Sequence, residues 1–399
     1  MCSIITKQTG FDYSATIKPS LLTEKTKDSY SFIQNKDFDG EYINLDTDFY
    51  IPISVAKNFP KITLDTHSLL ISISGKIGNI GYYNLKNKAF IGGAVGICKL
   101  LNDNGRLITY SLQSEAGQNY FHSLIKASSH ANITVEDIRN IKLILPANNV
   151  EYKQLETFCH DLDFLITLHQ RKFEKLTQIK KSLLEKMFPA DGANTPKIRF
   201  KGFTEVWEQR KFSSFATMHA RIGWQNLRKN EFLDSGDYYL ITGTDFENGF
   251  VNLSTCHYVA KERYLQDPHI QVDKNSILIT KDGTLGKVAI IDKIEKPATL
   301  NAGVFNVRIS DLAMDHKYVY HYLKGPFLLD YISLMSTGGT IKHLNQNILV
   351  GFNVYSPTTK EQHLIGKLFS EMDSLITLHQ RECEKLKNIK KSLLEKMFV

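Results

Sequence analysis

The sequence of 399 residues contains no apolar run close to the roughly 18 residues that a membrane-spanning helix requires. Its N-terminus, MCSIITK, lacks the basic region and apolar stretch of a secretory leader, so we expect a cytoplasmic chain without a membrane segment. The five cysteines are far apart and never form C-x-x-C, so neither a disulfide framework nor a zinc site is indicated. With 42% hydrophobic and 23% charged residues, the composition excludes a disordered or fibrous chain and indicates two folded domains.

Motifs of catalytic chemistry are missing as well. The N-P-P-[FY] loop of amino-methyltransferases is absent, and the nearest string is NVYSP at residues 353–357. The sequence also has no G-x-x-x-x-G-K-[ST] phosphate loop. We therefore expect a chain that is not an enzyme and that holds no catalytic, cofactor-binding or metal-binding residue of its own.

The feature that organises the sequence is an internal repeat. Residues 163–188 and 373–398 are identical at 21 of 26 positions, at an offset of 210. Fainter matches lie upstream: residues 68–78 parallel 276–286 in a strand-like run followed by G-x-x-G, and residues 138–146 parallel 349–357. The chain therefore consists of two copies of one unit. The two copies are most similar in their C-terminal segments.

Each copy combines short apolar runs, typical of strands, with a long closing segment, typical of a helix. The runs include residues 69–73, 141–145 and 277–280, bounded by Gly, Asn, Asp and Pro. We predict an α/β (α+β) fold with a pseudo-twofold repeat. The expected divisions are a first domain over 1–150, a helix over 151–188, a linker over 189–195, a second domain over 196–357 and a second helix over 358–399.

Apolar positions of both helices recur at alternating steps of three and four, the pattern of a coiled coil. If near-identical helices pair, chain order makes them antiparallel and the domains are separated by a coiled-coil spacer. We predict ten residues in this seam or at a subunit interface: Leu165, His169, Leu176, Ile179, Leu183, Leu375, His379, Leu386, Ile389 and Leu393. The two histidines are interpreted as polar residues that set the helix register, because no second pair of metal ligands is spaced near them.

Positive charge is concentrated in the repeated helices. Residues 171–188 carry six cations against two glutamates, and residues 381–398 carry six against three, which together equals the net charge of +7. Two interpretations remain open: a solvated coiled-coil surface, or a basic surface that lies near a phosphate backbone.

The two G-x-x-G segments, GKIGN at 75–79 and GTLGK at 283–287, also allow two interpretations. Each is either a tight turn that needs glycine's backbone freedom, or a loop whose amides and side chains approach phosphates or base edges. The DNA-binding candidates are Lys76, Asn79, Lys281, Thr284 and Lys287.

The combination of the duplicated helix, the paired G-x-x-G segments, the opening PKIRF…F…WE of the second copy and its Pro357…Glu361-Gln362 entry into the helix resembles a known family. The chain is similar over its length to the specificity (S) subunits of type I restriction-modification enzymes. One departure is that, at an offset of 208, Met1 corresponds to Gln209, so the first copy has no counterpart of residues 196–208. Either the first domain begins later, or the chain's C-terminal part completes its edge.

The resemblance implies two target-recognition domains, each reading one half of a bipartite, gapped target in double-stranded DNA. It also implies two methyltransferase (M) subunits that bring S-adenosylmethionine, and two restriction (R) subunits that use ATP and Mg²⁺. The alternative hypothesis is a coiled-coil assembly protein without sequence-specific DNA binding of its own. Divergent domains beside nearly identical helices favour the first hypothesis, since divergence suits two different half-sites.

Overall fold

The computed structural model describes residues 2–7, 13–65, 67–100, 105–127, 132–143, 145–190, 192–223, 226–335 and 344–398. The chain forms two compact units. Unit 1 comprises Met1–Gln170 together with Gln380–Val399, and unit 2 comprises Arg171–His379. Each unit therefore contains one domain and a part of both long helices.

Unit 1 combines short strands with helices of very different length. Its strands are β1 (Cys2–Lys7), β2 (Ser29–Ile33), β3 (Phe38–Asp39), β4 (Tyr42–Ile43), β5 (Tyr50–Pro52), β6 (Thr63–Leu64), β7 (Ser68–Ser72), β8 (Ile80–Tyr83), β9 (Ala89–Ile91) and β10 (Val95–Leu100). Its helices are α1 (Ile53–Ala56), α2 (Gly105–Gln113), α3 (Glu115–Ala127), α4 (Val135–Arg139) and the first part of α5 (Asn149–Lys186).

Unit 2 repeats this order of elements. Its strands are β11 (Glu208–Lys211), β12 (Ala216–His219), β13 (Tyr238–Ile241), β14 (Phe246–Glu247), β15 (Phe250–Val251), β16 (His257–Val259), β17 (Gln271–Val272), β18 (Ile277–Thr280), β19 (Val288–Ile290), β20 (Ala298–Leu300), β21 (Val304–Ile309) and β22 (Asn353–Ser356). Its helices are α6 (Lys261–Leu265), α7 (His316–Lys324), α8 (Pro326–Met335), α9 (Gln346–Val350) and the first part of α10 (Thr359–Met397).

The sheets of the two units have matching topology. One sheet has the order β5-β2-β9-β6 in unit 1 and β16-β13-β20-β17 in unit 2, with one parallel central pair in each. The other runs β1-β10-β7-β8 in unit 1 and β12-β21-β18-β19 in unit 2, where β15 and β14 extend it. The duplication predicted from faint sequence matches is thus confirmed by strand order, although most side chains differ.

One strand predicted from the sequence, over residues 141–145, is not observed among the described residues. Residues 141–143 and 145 are irregular, whereas the equivalent β22 of unit 2 pairs with β11. Because β1 occupies in unit 1 the sheet position that β12 occupies in unit 2, no described strand of unit 1 corresponds to β11. Without that partner the apolar run has no edge to which its backbone can bond.

The segment present only in the second copy forms contacts with the start of α10. Arg199 donates two hydrogen bonds to the buried Glu361 carboxylate, with Nε–Oε1 and Nη2–Oε2 distances of 2.7 and 2.8 Å. Trp207 is buried against Phe188, which follows α5, with a ring-centroid separation of 6.3 Å. In unit 1, Leu394 and Phe398 are buried in a cluster with Leu107, Tyr110 and Cys159, so the C-terminal part of the chain packs within unit 1.

The two long helices contact each other within each unit, and they run antiparallel. In unit 1, Asp163 contacts Lys390 while Gln170, farther along α5, contacts Cys383, which lies earlier in α10. In unit 2, Lys180 contacts Asp373 and Phe188 stacks on Phe369. The predicted antiparallel pairing is therefore confirmed, and α5 ends at Lys186, shortly before Pro189, as a proline disfavours the helix.

Five of the six residues in these polar contacts, 163, 170, 180, 373 and 390, follow a position of the predicted apolar row by one residue. The sixth, Cys383, continues that row at the predicted spacing. Leu165, Ile179, Leu375 and Ile389 are 41%, 41%, 45% and 39% exposed, so these four do not lie between the helices. The other six, His169, Leu176, Leu183, His379, Leu386 and Leu393, are half-buried. A polar Lys–Asp contact in each unit sets the register here, which an apolar pattern does not reveal.

Two further findings concern features discussed from the sequence. Cys98 of β10 takes part in a disulfide bond, whereas Cys159, Cys256 and Cys383 are free and buried, so the expectation of no cross-link is wrong at Cys98. Spacing along the chain does not show which cysteines meet across strands. Among the described residues, the structure contains no helix of sufficient length and apolar character to cross a membrane.

Candidate nucleic-acid interface

The G-x-x-G loops of both units have the same backbone. Gly75 and Gly78 have φ of +74° and +80°, and Gly283 and Gly286 have φ of +71° and +72°. These are left-handed conformations that favour glycine. Gly78 is also buried, and a Cβ added there would lie 3.2 Å from the Phe121 side chain.

The hydrogen bonds that close these loops are equivalent as well. The amide of Gly78 donates to the Ser72 carbonyl at 3.1 Å, and that of Gly286 donates to the Thr280 carbonyl at 2.9 Å. The loop bases are joined from Ser72 N to Asn79 O at 2.8 Å and from Thr280 N to Lys287 O at 2.9 Å. One loop frame is therefore built twice, with different side chains on it.

Two of the DNA-binding candidates hold these loops in place. Asn79 Nδ2 donates to the carbonyls of Asn35 and Phe38, at 3.0 and 2.7 Å. Lys287, the equivalent residue in unit 2, donates through Nζ to the carbonyl of Phe246, the equivalent of Phe38. For Asn79 and Lys287 the structure supports the tight-turn interpretation, since both side chains satisfy backbone carbonyls of their own unit.

Of the other three candidates, two are exposed and one is half-buried. Lys76 and Thr284 occupy equivalent, exposed positions at the loop tips. Lys281 is half-buried, and its Nζ lies 5.6 Å from the centroid of the Phe305 ring. The structure thus brings the five candidates to two equivalent loops, and it leaves one exposed candidate at each tip.

Beside the loop of unit 1 lies a cleft of about 340 Å³ that we call the basic cleft. Four lysines line it: Lys76 from the loop and Lys387, Lys390 and Lys391 from α10. The only carboxylate among its described lining residues is Asp39. The sequence showed the positive charge of α10, but not that the G-x-x-G loop of unit 1 lies next to it.

Unit 2 has a different cleft, of about 650 Å³, lined in part by His219, Lys281, Phe305, Asn345 and Gln346. The rings of His219 and His269 stack with centroids 4.6 Å apart. Burial, followed by the nearby His269 and Arg308, lowers the pKa of His219. The sequence did not indicate this cleft, because its residues come from four separate segments and share no motif.

A buried ion pair joins the long helices of unit 2. Lys180 Nζ contacts Asp373 Oδ1, and the two side chains are only 9% and 8% exposed. Lys324 Nζ lies 3.5 Å from the other Asp373 oxygen, and burial lowers the pKa of Lys324 to about 8. Burial, together with these cations, lowers the pKa of His321 far below its usual range, so His321 is neutral beside them.

The equivalent pair in unit 1 is Lys390 with Asp163, at 2.7 Å and about one-fifth exposed. Lys390 Nζ lies 5.0 Å from the centroid of the Tyr110 ring. The Tyr110 hydroxyl donates to Glu41 at 2.8 Å, and Arg106 contacts the same carboxylate at 2.9 Å. The signal for both pairs was present in the sequence, because Lys and Asp are retained at equivalent positions of the repeat. Within the described residues, no group of three or more His, Cys, Asp or Glu side chains is gathered as a metal site would require.

Comparison with known proteins defines the class of this fold. Residues 205–388 match the family model described as type I restriction modification DNA specificity domain. The MjaVIII specificity subunit of Methanocaldococcus jannaschii is 21% identical over 377 residues, covering 90% of this chain and 86% of that protein. The EcoBI specificity subunit of Escherichia coli is 26% identical over 168 residues, covering 40% of this chain and 34% of that protein.

A solved structure agrees with this assignment at the level of the fold. The type I restriction-modification S subunit from M. genitalium superposes with a TM-score of 0.65 at 16% identity, covering 99% of this chain and 93% of that one. Residues 205–388 thus match the specificity domain of type I restriction-modification systems, and the chain is similar over most of its length to specificity subunits of such systems.

Proposed function

We propose that each unit of this specificity subunit reads one half of a bipartite, gapped target in double-stranded DNA. The observation that carries the proposal is the loop frame built twice with different side chains: Lys76 in unit 1 stands where unit 2 has Thr284. A conserved frame fixes how a loop approaches the duplex, while different side chains on it select different base pairs. Two equivalent but non-identical readers suit an asymmetric split site.

The exposed apolar residues of the long helices support the binding of two partner subunits. Leu165 and Ile389 are exposed in unit 1, and Ile179 and Leu375 are exposed in unit 2. These are the same repeat positions, so each unit presents one equivalent apolar pair. We therefore propose two docking sites of the same kind, one for each of two M subunits, with two R subunits joining the assembly.

We further propose that this chain contributes no catalytic group. The support is the absence from its sequence of the N-P-P-[FY] and G-x-x-x-x-G-K-[ST] motifs. S-adenosylmethionine then belongs to the M subunits, and ATP with Mg²⁺ belongs to the R subunits. A purified chain without partners is expected to show neither DNA methylation nor ATP hydrolysis.

The proposal is tested by sequencing the methylated bases of cells that express this chain with its methyltransferase partner. We expect an asymmetric motif in two parts, separated by an unspecified gap of about 5 to 8 base pairs, because two related readers favour half-sites about one helical turn apart. Cells with the partner alone are the control. A contiguous motif, or the same motif without this chain, would contradict the proposal.

A further inference from the structure

We infer that the basic cleft of unit 1 is a binding site for the phosphate backbone of DNA that unit 2 does not possess. The inference rests on the proposed function and deepens it. The two units then differ in their contribution to binding: both read bases, but unit 1 contributes more of the sequence-independent affinity for the DNA backbone.

The first argument is the charge that remains available in the cleft. Lys390 is engaged by Asp163 at 2.7 Å. In the described part of the chain, neither Lys76 nor Lys387 has a carboxylate within 4.0 Å, and Lys391 has only Glu395, at 4.0 Å. Two exposed ammonium groups on one cleft therefore lack a close internal counter-charge and a third has only a distant one, and lysine is a good point-charge partner for phosphate.

The second argument is that the loop contributing Lys76 is held rigidly. Gln118 Nε2 donates a hydrogen bond to the Gly78 carbonyl at 3.0 Å. Asn79 Nδ2 donates to the carbonyls of Asn35 and Phe38. The remaining lysines lie on a long helix. Such a preorganised arrangement loses little conformational entropy when it binds a ligand.

The third argument is the comparison with unit 2, where the equivalent positions lack most of this charge. Thr284 replaces Lys76, Thr177 replaces Lys387 and only Lys181 corresponds to Lys391. The Thr177 hydroxyl donates to the Phe173 carbonyl at 2.8 Å within its own helix. At these three positions unit 1 therefore carries two more positive charges than unit 2, on an equivalent loop frame and an equivalent helix.

The experiment uses the complete chain in complex with its methyltransferase partner, and a duplex that carries the methylated motif. Binding is measured by fluorescence anisotropy over a series of KCl concentrations. The cleft variant combines Lys76→Gln, Lys387→Gln and Lys391→Gln. A matched variant, Lys25→Gln with Lys86→Gln and Lys88→Gln, removes the same charge from exposed positions of unit 1 outside the cleft.

For the cleft variant we expect the slope of log K against log [KCl] to become shallower by up to about 3, roughly 1 for each lysine. The matched variant should change the slope by less than about 1. The ratio of affinities for specific and unrelated DNA should stay the same, because phosphate contacts carry no sequence information. Lys181→Gln in unit 2 is expected to change the slope by no more than about 1.

The inference is overturned if the cleft variant behaves like the matched variant while the unaltered complex still binds its motif specifically; the proposed function then stands. A cleft variant that loses the preference for the motif would also contradict it, because the cleft would then read bases. If the unaltered complex does not distinguish its motif from unrelated DNA, the proposed function itself is wrong.

Discussion

The same lysine–aspartate pair occurs in both units, but its surroundings differ. In unit 2, Asp373 is almost completely buried and is the counter-charge of two cations, Lys180 and Lys324. In unit 1, Asp163 is about one-fifth exposed and contacts Lys390. Both units therefore retain the lysine–aspartate contact between the long helices. The domain that packs on each helix pair determines how deeply this contact is buried and how many cations the aspartate neutralises. Identical residues therefore need not contribute equally to stability.

The sharpest test of this comparison is to remove each aspartate in turn. Asp373→Ala leaves the buried Lys180 and the half-buried Lys324 without a counter-charge and should lower the free energy of unfolding of unit 2 by about 3 to 5 kcal/mol. Asp163→Ala should lower that of unit 1 by about 1.5 to 3 kcal/mol, the usual contribution of a hydrogen bond to a charged group.

Urea unfolding can measure the two units separately. Both tryptophans of the sequence, at positions 207 and 224, fall within unit 2, so tryptophan fluorescence reports its unfolding, and far-ultraviolet circular dichroism reports both units. Asp161→Ala, an exposed position on α5, is the control and should change neither transition. Equal losses in the two variants would show that burial does not distinguish the pairs.

A second prediction concerns the exposed apolar pairs. Ile179→Ala with Leu375→Ala should remove one of two partner sites, and Leu165→Ala with Ile389→Ala should remove the other. Full burial of such a side chain contributes about 1.5 to 3 kcal/mol, so each double variant should weaken its site more than tenfold. Native mass spectrometry should then show one M subunit in place of two.

The four-fold variant should bind no M subunit, while exposed Thr177→Ala should bind two. Because these side chains face solvent in the isolated chain, its unfolding transitions should change little. Retention of two M subunits by every variant would mean that the partners dock elsewhere.

A smaller effect is expected where the loop frame is secured. Asn79→Ala removes hydrogen bonds to two carbonyls, and Lys287→Ala removes a hydrogen bond to one. At about 1 kcal/mol for each of the two neutral hydrogen bonds of Asn79 and about 1.5 to 3 kcal/mol for the single bond of the charged Lys287, the two loops should lose similar amounts of stability. Amide hydrogen exchange at residues 72–79 and 280–287 measures both, with exposed Lys76→Ala as the unchanged control.

A further expected effect depends on pH and concerns unit 2. Burial lowers the pKa of Lys324 from 10.5 to about 8, so between these values the unfolded chain binds more protons than the folded one. The free energy of unfolding should therefore rise with pH from about 8 to 10.5 on account of this group. The curve of Lys324→Met should lack this rise, so that the difference between the two proteins grows over this pH range. If both proteins gave parallel curves, Lys324 would not titrate in this range.

Much of the architecture followed from the sequence. An offset of 210 with 21 of 26 identities indicated the duplication, and uninterrupted heptads indicated two long helices that run antiparallel. The observed helices, Asn149–Lys186 and Thr359–Met397, begin and end within two residues of the predicted ranges. Local patterns suffice for such elements because backbone hydrogen bonds and side-chain periodicity are properties of neighbouring residues.

The sequence was less informative about which residues meet. Four of the ten predicted seam or interface residues are exposed, because periodicity identifies an apolar stripe but not whether a partner helix, a domain or solvent covers it. It also predicted a strand at 141–145, where the chain lacks a neighbour for pairing.

The sequence by itself determined that this protein is a duplicated unit with two long helices, two G-x-x-G turns and a cationic helix surface. Only the tertiary structure decided that Asn79 and Lys287 secure their loops, that Lys76 faces three lysines of α10, and that Asp373 is buried between two cations. The reason is physical: turns depend on residues close in sequence, whereas loop anchors, clefts and buried charges depend on segments brought together from about 40 to about 310 residues apart.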